Sequence, residues 1–215
     1  MAYVLGFFAA DGNMIRTKRG GHFISFHITD KIVLQQIRRA MGSNHKIATR
    51  IDPRPNCKTG YRIQIGSKIF YQDLQDLGFT PKKSKTMTLP RVLPDLFGHF
   101  VRGYFDGDGC IYFKKLIVKG RKNKKWIFSS RFTAGSRTFL DPLLYALRNR
   151  GIRGGFIVNK QRGFELVLSH RDSVALFHLM YDTVSDNGLY LPRKYKIFKQ
   201  AVRTLYGNAA VDQFG

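Results

Sequence analysis

A nine-residue segment occurs twice in this chain, and the repetition confines the fold to two like halves. Val4-Leu-Gly-Phe-Phe-Ala-Ala-Asp-Gly12 returns as Val101-Arg-Gly-Tyr-Phe-Asp-Gly-Asp-Gly109, an offset of 97 residues from Asp11 to Asp108. The same order of local patterns follows each copy. After Gly12, Asn13–Lys18 and Phe23–Thr29 read as strands around the Arg19-Gly-Gly21 turn. Asp30 suits the N-cap of a helix over Lys31–Met41, with apolar Ile32, Val33, Ile37, Ala40 and Met41, and Gly42 ends it. Lys46–Ile51 and Tyr61–Ile65 alternate as strands, and Lys68–Leu77 is a helix stopped by Gly78.

The second half reads the same way. Ile111–Val118 and Trp126–Thr133 are strands around the basic turn Lys119–Lys125, and Ser136 caps a helix over Arg137–Arg150 that Gly151 closes. Phe156–Val158 and Phe164–Ser169 are strands, Asp172–Thr183 is a helix, and Lys194–Leu205 is a last helix that packs on the second unit. Each half is therefore α-β-β-α-β-β-α in an α+β chain. The expected divisions are a first unit at 1–79, a proline-broken linker at 80–96 and a second unit at 97–215.

Charge narrows the partner. Among 215 residues, 37 Lys+Arg face 14 Asp+Glu, giving +23, and Glu165 is the lone glutamate. Such an excess implies a polyanion, although basicity alone does not separate DNA, RNA and anionic membrane. No apolar run approaches the ~20 residues that span a bilayer, and no signal-peptide pattern opens the sequence. Cys57 and Cys110 lack metal-type spacing and suit free thiols in a reducing, intracellular compartment.

Small residues stand four apart in both copies, Gly6 with Ala10 and Gly103 with Gly107. On a helix they share one face and allow another backbone to approach closely, so the repeated helices are expected to pair. Either copy alone would pass for a glycine-rich core helix, and Asp-Gly alone for a turn signal. Two copies would set Asp11 and Asp108 side by side, at helix ends where the macrodipole already disfavours negative charge. Neighbouring carboxylates favour a hard cation such as Mg²⁺, and with a basic surface they suit phosphodiester hydrolysis.

The two segments resemble the LAGLIDADG motif of homing endonucleases, and the αββαββα order resembles that family's unit. The resemblance covers almost the whole chain. Thr80-Pro-Lys-Lys-Ser-Lys85 and Tyr190-Leu-Pro-Arg-Lys-Tyr195 are similar to the basic segments that follow each unit. It implies a monomeric, single-chain saddle of antiparallel sheets with the paired motif helices at its centre. It also implies double-strand cleavage of a DNA site with Mg²⁺, for which Mn²⁺ or Ca²⁺ could substitute in binding. Asp11 and Asp108, with Gly12 and Gly109 beside them, are the implied metal site. Lys83 and Lys194 are the implied water- or phosphate-steadying lysines, with Lys82, Lys85 and Arg193 close enough to displace them. Asp30 and Ser136 are implied polar groups near the metal, although both also make good N-caps. The other motif acid survives as Asp106 but is Ala9 in the first copy, and aspartate at Ala9 is expected to change little.

Strand alternation gives the reading face. Ile24, Phe26, Ile28, Ile47, Ile51, Ile63 and Ile65 should face the first core, and Phe128, Phe132, Phe164, Leu166 and Leu168 the second. Ser25, His27, Thr29, Lys46, Arg50, Arg62 and Gln64 should then point outward. Tyr112, Lys114, Ser129, Arg131, Thr133, Glu165 and Ser169 do so in the second half. Arg16 and Lys18 lie in a turn suited to flanking phosphates. Ordinary solvent exposure of a half-buried sheet gives the same alternation. Eight strand residues span about 26 Å, or about eight base pairs at roughly 3.4 Å each, so two unlike halves imply a long, non-palindromic site. Alternatives with the same fold are an intron-encoded RNA maturase and a catalytically silent DNA-binding protein. Paired acids favour the enzyme, free-standing or intron-encoded within a mobile element.

Overall fold

The computed structural model describes residues 1–51, 53–55, 58–117, 123–184 and 188–207. The first unit comprises α1 (Ala2–Asp11), β1 (Gly12–Arg16), β2 (His22–Ile28), α2 (Lys31–Ala40), β3 (Ile47–Arg50), β4 (Gly60–Gly66) and α3 (Lys68–Asp76). The second comprises α4 (Phe97–Asp108), β5 (Gly109–Ile117), β6 (Lys124–Ala134), α5 (Arg137–Arg148), β7 (Phe156–Lys160), β8 (Gly163–Ser169), α6 (His170–Tyr181) and α7 (Pro192–Tyr206). Both sheets are antiparallel with the same order, β1-β2-β4-β3 and β5-β6-β8-β7.

The helix pair explains the small residues of the repeat. A Cβ on Gly6 would stand 2.0 Å from the Phe100 carbonyl oxygen, and one on Gly103 would stand 2.0 Å from that of Tyr3. Only a hydrogen fits at either crossing point. Because α1 packs against α4 on one side and β2 on another, Tyr3, Val4, Phe7, Phe8 and Ala9 are all buried. That double burial accounts for a helix apolar nearly all round. The other helices are amphipathic and cover the inner faces of the sheets. Val33, Leu34 and Ile37 of α2 lie over β2 and β4, and the leucines of α5 lie over β6 and β8.

Caps and glycines set the boundaries. Asp30 accepts hydrogen bonds from Ile32 N (3.2 Å) and Val33 N (3.5 Å), and Ser67 Oγ accepts from Phe70 N (3.1 Å). Gly42, Gly78 and Gly151 take left-handed φ values of 59°, 89° and 88° just beyond their helices.

Several apolar expectations fail at element ends. Ile51 is 78% exposed rather than in the core, because β3 pairing stops at Arg50 opposite Gly60. Ile32, in the first turn of α2, falls outside the Val33–Leu34–Ile37 stripe and is exposed, as is Ala40 in the last turn. Lys46 precedes β3 rather than opening it, and α6 begins at His170, two residues earlier than expected. The 80–96 segment contains 3-10 turns at Lys83–Lys85 and Pro94–Leu96. Of the basic turn expected at Lys119–Lys125, Lys124 and Lys125 belong to β6, and 118–122 lie outside the described residues.

Candidate active site and nucleic-acid face

Asp11 and Asp108 close the paired helices. Their proximity shows at Gly107, where an added Cβ would stand 2.4 Å from Ala10 Cβ and 3.2 Å from Asp11 Oδ2. Burial raises both carboxyls above the ordinary range. For Asp108 the neighbouring Asp11 adds to burial and brings it to about 6, with Lys83 and Lys194 opposing. For Asp11 burial is opposed by Lys194 and Lys83. The helix ends therefore place two carboxylates where negative charge is electrostatically strained, an arrangement a cation relieves.

In the two basic segments, Lys83 and Lys194 turn inward, whereas Lys82, Lys85, Arg193 and Lys196 are exposed. Lys83 Nζ donates to the Ala10 carbonyl at 3.4 Å and lies over the Phe8 ring. Lys194 Nζ donates to the carbonyls of Phe105 (2.7 Å), Asp106 (2.8 Å) and Gly107 (3.3 Å), and also to that of Gly109. Each lysine thus meets the carbonyl end of one motif helix, where the macrodipole favours a cation. Burial depresses both ammonium groups, Lys194 to about 8, against the attraction of the acids.

A hard divalent cation suits this donor set. The two carboxylates are oxygen ligands, and among the described residues no group of three or more His, Cys, Asp or Glu is placed to hold a metal. Remaining coordination positions would fall to main-chain carbonyls, phosphate oxygens and water, as Mg²⁺ prefers. The Gly12 and Gly109 amides are engaged with the Phe8 and Phe105 carbonyls, and the Gly109 carbonyl with Lys194. Asp30 acts as the cap of α2. Ser136 is buried, with its hydroxyl against that of Thr138.

The motif acid at 106 does more than the sequence suggested. Asp106 is fully buried, and its Oδ2 accepts from Tyr3 Oη and from Leu191 N, both at 2.8 Å. It ties α1 to the residue that caps α7, three positions before Lys194. Its carboxyl is raised by burial to about 6, with Tyr3, Lys194, Leu191 and Arg102 opposing. A second acid two residues before Asp108, in a largely buried helix, was the available signal, but its partners lie 103 and 85 residues away.

The strand register sets the predicted outward residues on one face of each sheet. Ser25 stands opposite Asn13 and Gln64, and His27 opposite Arg62. Tyr112 stands opposite Ser129, and Thr133 opposite Glu165. Arg16, Lys18, His27, Thr29, Lys46, Arg50, Gln64, Lys114, Thr133 and Ser169 are exposed. Arg62, Tyr112, Arg131 and Glu165 are half-buried. Ser25 and Ser129 depart from the expectation, at 5% and 6% exposed. They are short side chains on the second strand of each sheet, flanked on both sides, and longer neighbours shield them.

These halves, joined by glycine-packed helices that end in acids, define the LAGLIDADG architecture. Residues 1–77 match the family described as LAGLIDADG-like domain. The whole chain has the fold of single-chain, two-motif LAGLIDADG homing endonucleases. The I-SmaMI homing endonuclease bound to cleaved DNA superposes with a TM-score of 0.61 at 14% identity, covering 99% of this chain and 92% of that one. I-SmaMI bound to an uncleaved DNA target in the presence of calcium ions gives 0.62 at 13%, covering 99% and 94%. The I-AabMI meganuclease bound to uncleaved DNA gives 0.61 at 12%, covering 98% and 91%. No curated protein sequence matches the chain. No helix among the described residues is long and apolar enough to cross a membrane.

Proposed function

We propose that this chain is a monomeric, site-specific homing endonuclease that binds a long, non-palindromic stretch of double-stranded DNA and hydrolyses both strands. The observation that carries this reading is the meeting of Asp11 and Asp108 at the foot of the helix pair, with Lys83 and Lys194 on the adjoining helix ends. A divalent ion, Mg²⁺ by ligand chemistry, would be held by the two carboxylates, and when bound it supplies Lewis-acid stabilisation of phosphate charge. The lysines offset the acids' charge and, with the basic surface, bring the phosphates to the site. The outer sheet faces supply the groups for base edges, and Arg16 and Lys18 reach flanking backbone. The DNA-bound structures that share the fold support the substrate class. An intron-borne, intracellular origin accords with the fold and the high charge.

The test is selection of cleavable sites from a randomised duplex library in Mg²⁺, repeated in EDTA. Linear product should form only with metal. Asp11→Asn and Asp108→Asn should each slow cleavage by at least 100-fold while leaving duplex affinity within a few-fold. Full linearisation by both variants would make these acids helix caps and move the active site elsewhere. Splicing of a host intron without cleavage would instead identify a maturase.

A further inference from the structure

We propose that Arg131 reads a guanine in the major groove beside the cleavage centre of the second half-site, with Glu165 as its positioning residue. The proposal rests on the DNA-binding reading above and names the base that one part of that face selects.

Arg131 projects from the outer face of β6. Its Cα partner is Cys110, two residues beyond Asp108, which sets it at the inner end of the sheet next to the motif helix. Its guanidinium is steadied on three sides. Nε donates to Ser129 Oγ at 3.4 Å, Nη1 donates to Glu165 Oε2 at 3.3 Å, and the group lies 5.6 Å from the Tyr112 ring centroid. Nη2 has no hydrogen-bond partner among the described residues, and the side chain keeps a third of its surface open. Glu165 is held in turn by Lys160 Nζ at 3.1 Å and is 13% exposed.

Two consequences follow from this arrangement. A carboxylate already shared by two cations, and largely covered, is a poor acceptor for the cytosine amino group. A guanidinium fixed by its neighbours, by contrast, presents donors in a set direction. Guanine is the base with two acceptors, N7 and O6, on its major-groove edge, whereas adenine offers one acceptor and one donor. The carboxylate also weakens the pull of any phosphate on Arg131, which favours base over backbone contact. The first unit lacks this device. Matching Gly12–Phe26 to Gly109–Phe132 puts Ser25 where Arg131 stands and Arg62 where Glu165 stands. The guanine preference therefore belongs to one half-site.

The experiment measures affinity in EDTA for the selected duplex and for every single base-pair change in it. Arg131→Ala should relax preference at one G·C pair of the second half-site by about 10- to 100-fold, with other pairs little changed. Glu165→Ala should relax the same pair by a smaller factor while raising affinity for random DNA, since a negative charge has gone. Glu165→Gln, which still accepts from Arg131, should retain most of the preference. The double alanine variant should be no less selective than Arg131→Ala. Equal weakening on all sequences would make Arg131 a phosphate contact and overturn the proposal. So would loss of preference at a second pair on changing Glu165, which would make the glutamate a reader itself. A wild-type profile flat at every pair would overturn the DNA-reading assignment of the whole face, and this proposal with it.

Discussion

The two units share one backbone plan but secure the ends of their motif helices differently. In the second, Asp106 accepts from Tyr3 and Leu191, and Lys194 reaches four carbonyls at the end of α4. At the repeat-equivalent positions Ala9 of the first unit stands in place of Asp106, and Phe100 of the second in place of Tyr3, both buried and apolar. At the end of α1, Lys83 makes one long hydrogen bond, to Ala10. The hydroxyl and the carboxylate are thus present together or absent together. The two acids and the two crossing glycines are common to both units, whereas the polar latch, which joins Tyr3 of the first to Asp106 of the second, secures the end of one motif helix only.

The largest effect should come where the units agree. Gly6→Val and Gly103→Val each set side-chain atoms against a main-chain carbonyl, which cannot move without separating the helices. Both variants should lose several kcal/mol or fail to fold, and thermal unfolding should show comparable losses for the two. A large difference between them would mean that the helix pair is less symmetric than its contacts.

Next comes Ala9→Asp, which would give the first unit the acid of the second. The sequence suggested a tolerant site, but Ala9 is 2% exposed and faces no hydroxyl counterpart to Tyr3. An unpaired buried carboxylate should cost about 3 kcal/mol or more. Adding Phe100→Tyr should recover part of that loss in chemical denaturation. Unchanged stability of Ala9→Asp would show that water reaches this face.

The reverse exchange, Asp106→Ala, should be milder and one-sided. It frees Leu191 N and loosens the start of α7, so the placement of Lys194 should suffer more than that of Lys83. With each strand labelled separately, one strand should be cut about tenfold more slowly and nicked product should accumulate. Asp106→Asn, which still accepts a hydrogen bond, should recover most of the rate. Equal slowing of both strands would mean that the latch supports the helix pair as a whole.

The smallest effect is on stability. Asp108 is raised to about 6, so the folded chain holds that proton more tightly than the unfolded chain does. Stability from this group is full below about pH 4 and is lost as pH rises through 6. Asp108→Asn lacks the penalty. In EDTA its Tm should equal the wild-type value near pH 4 and exceed it near pH 7 by about 3–10 °C, reflecting roughly 1–3 kcal/mol. A constant difference at all pH values would place the effect in packing rather than ionisation.

Strand and helix order, the pairing of the motif helices and both acids were legible because they are local and occur twice. Alternation sorted the apolar residues correctly where strands are paired on both sides, at Ile24, Phe26, Leu166 and Leu168, but failed at Ile51, where pairing ends, and for the buried serines Ser25 and Ser129. Among the basic residues of the two trailing segments, sequence could not distinguish Lys83 and Lys194 from Lys82, Lys85 and Arg193. All carry the same charge, and burial alone separates them.

From the residues came two αββαββα halves, a close helix crossing at glycine, an acid at each helix foot and a surface basic enough for DNA. Hydrophobic period, turn chemistry and charge act over a few residues, so they can be read along the chain. Tertiary structure decided that Asp106 joins Tyr3 to Leu191, that Ala9 has no such partner, and that Glu165 lies between Arg131 and Lys160. Those contacts depend on which side chains meet across the helix pair or between neighbouring strands, and chain folding alone sets that proximity.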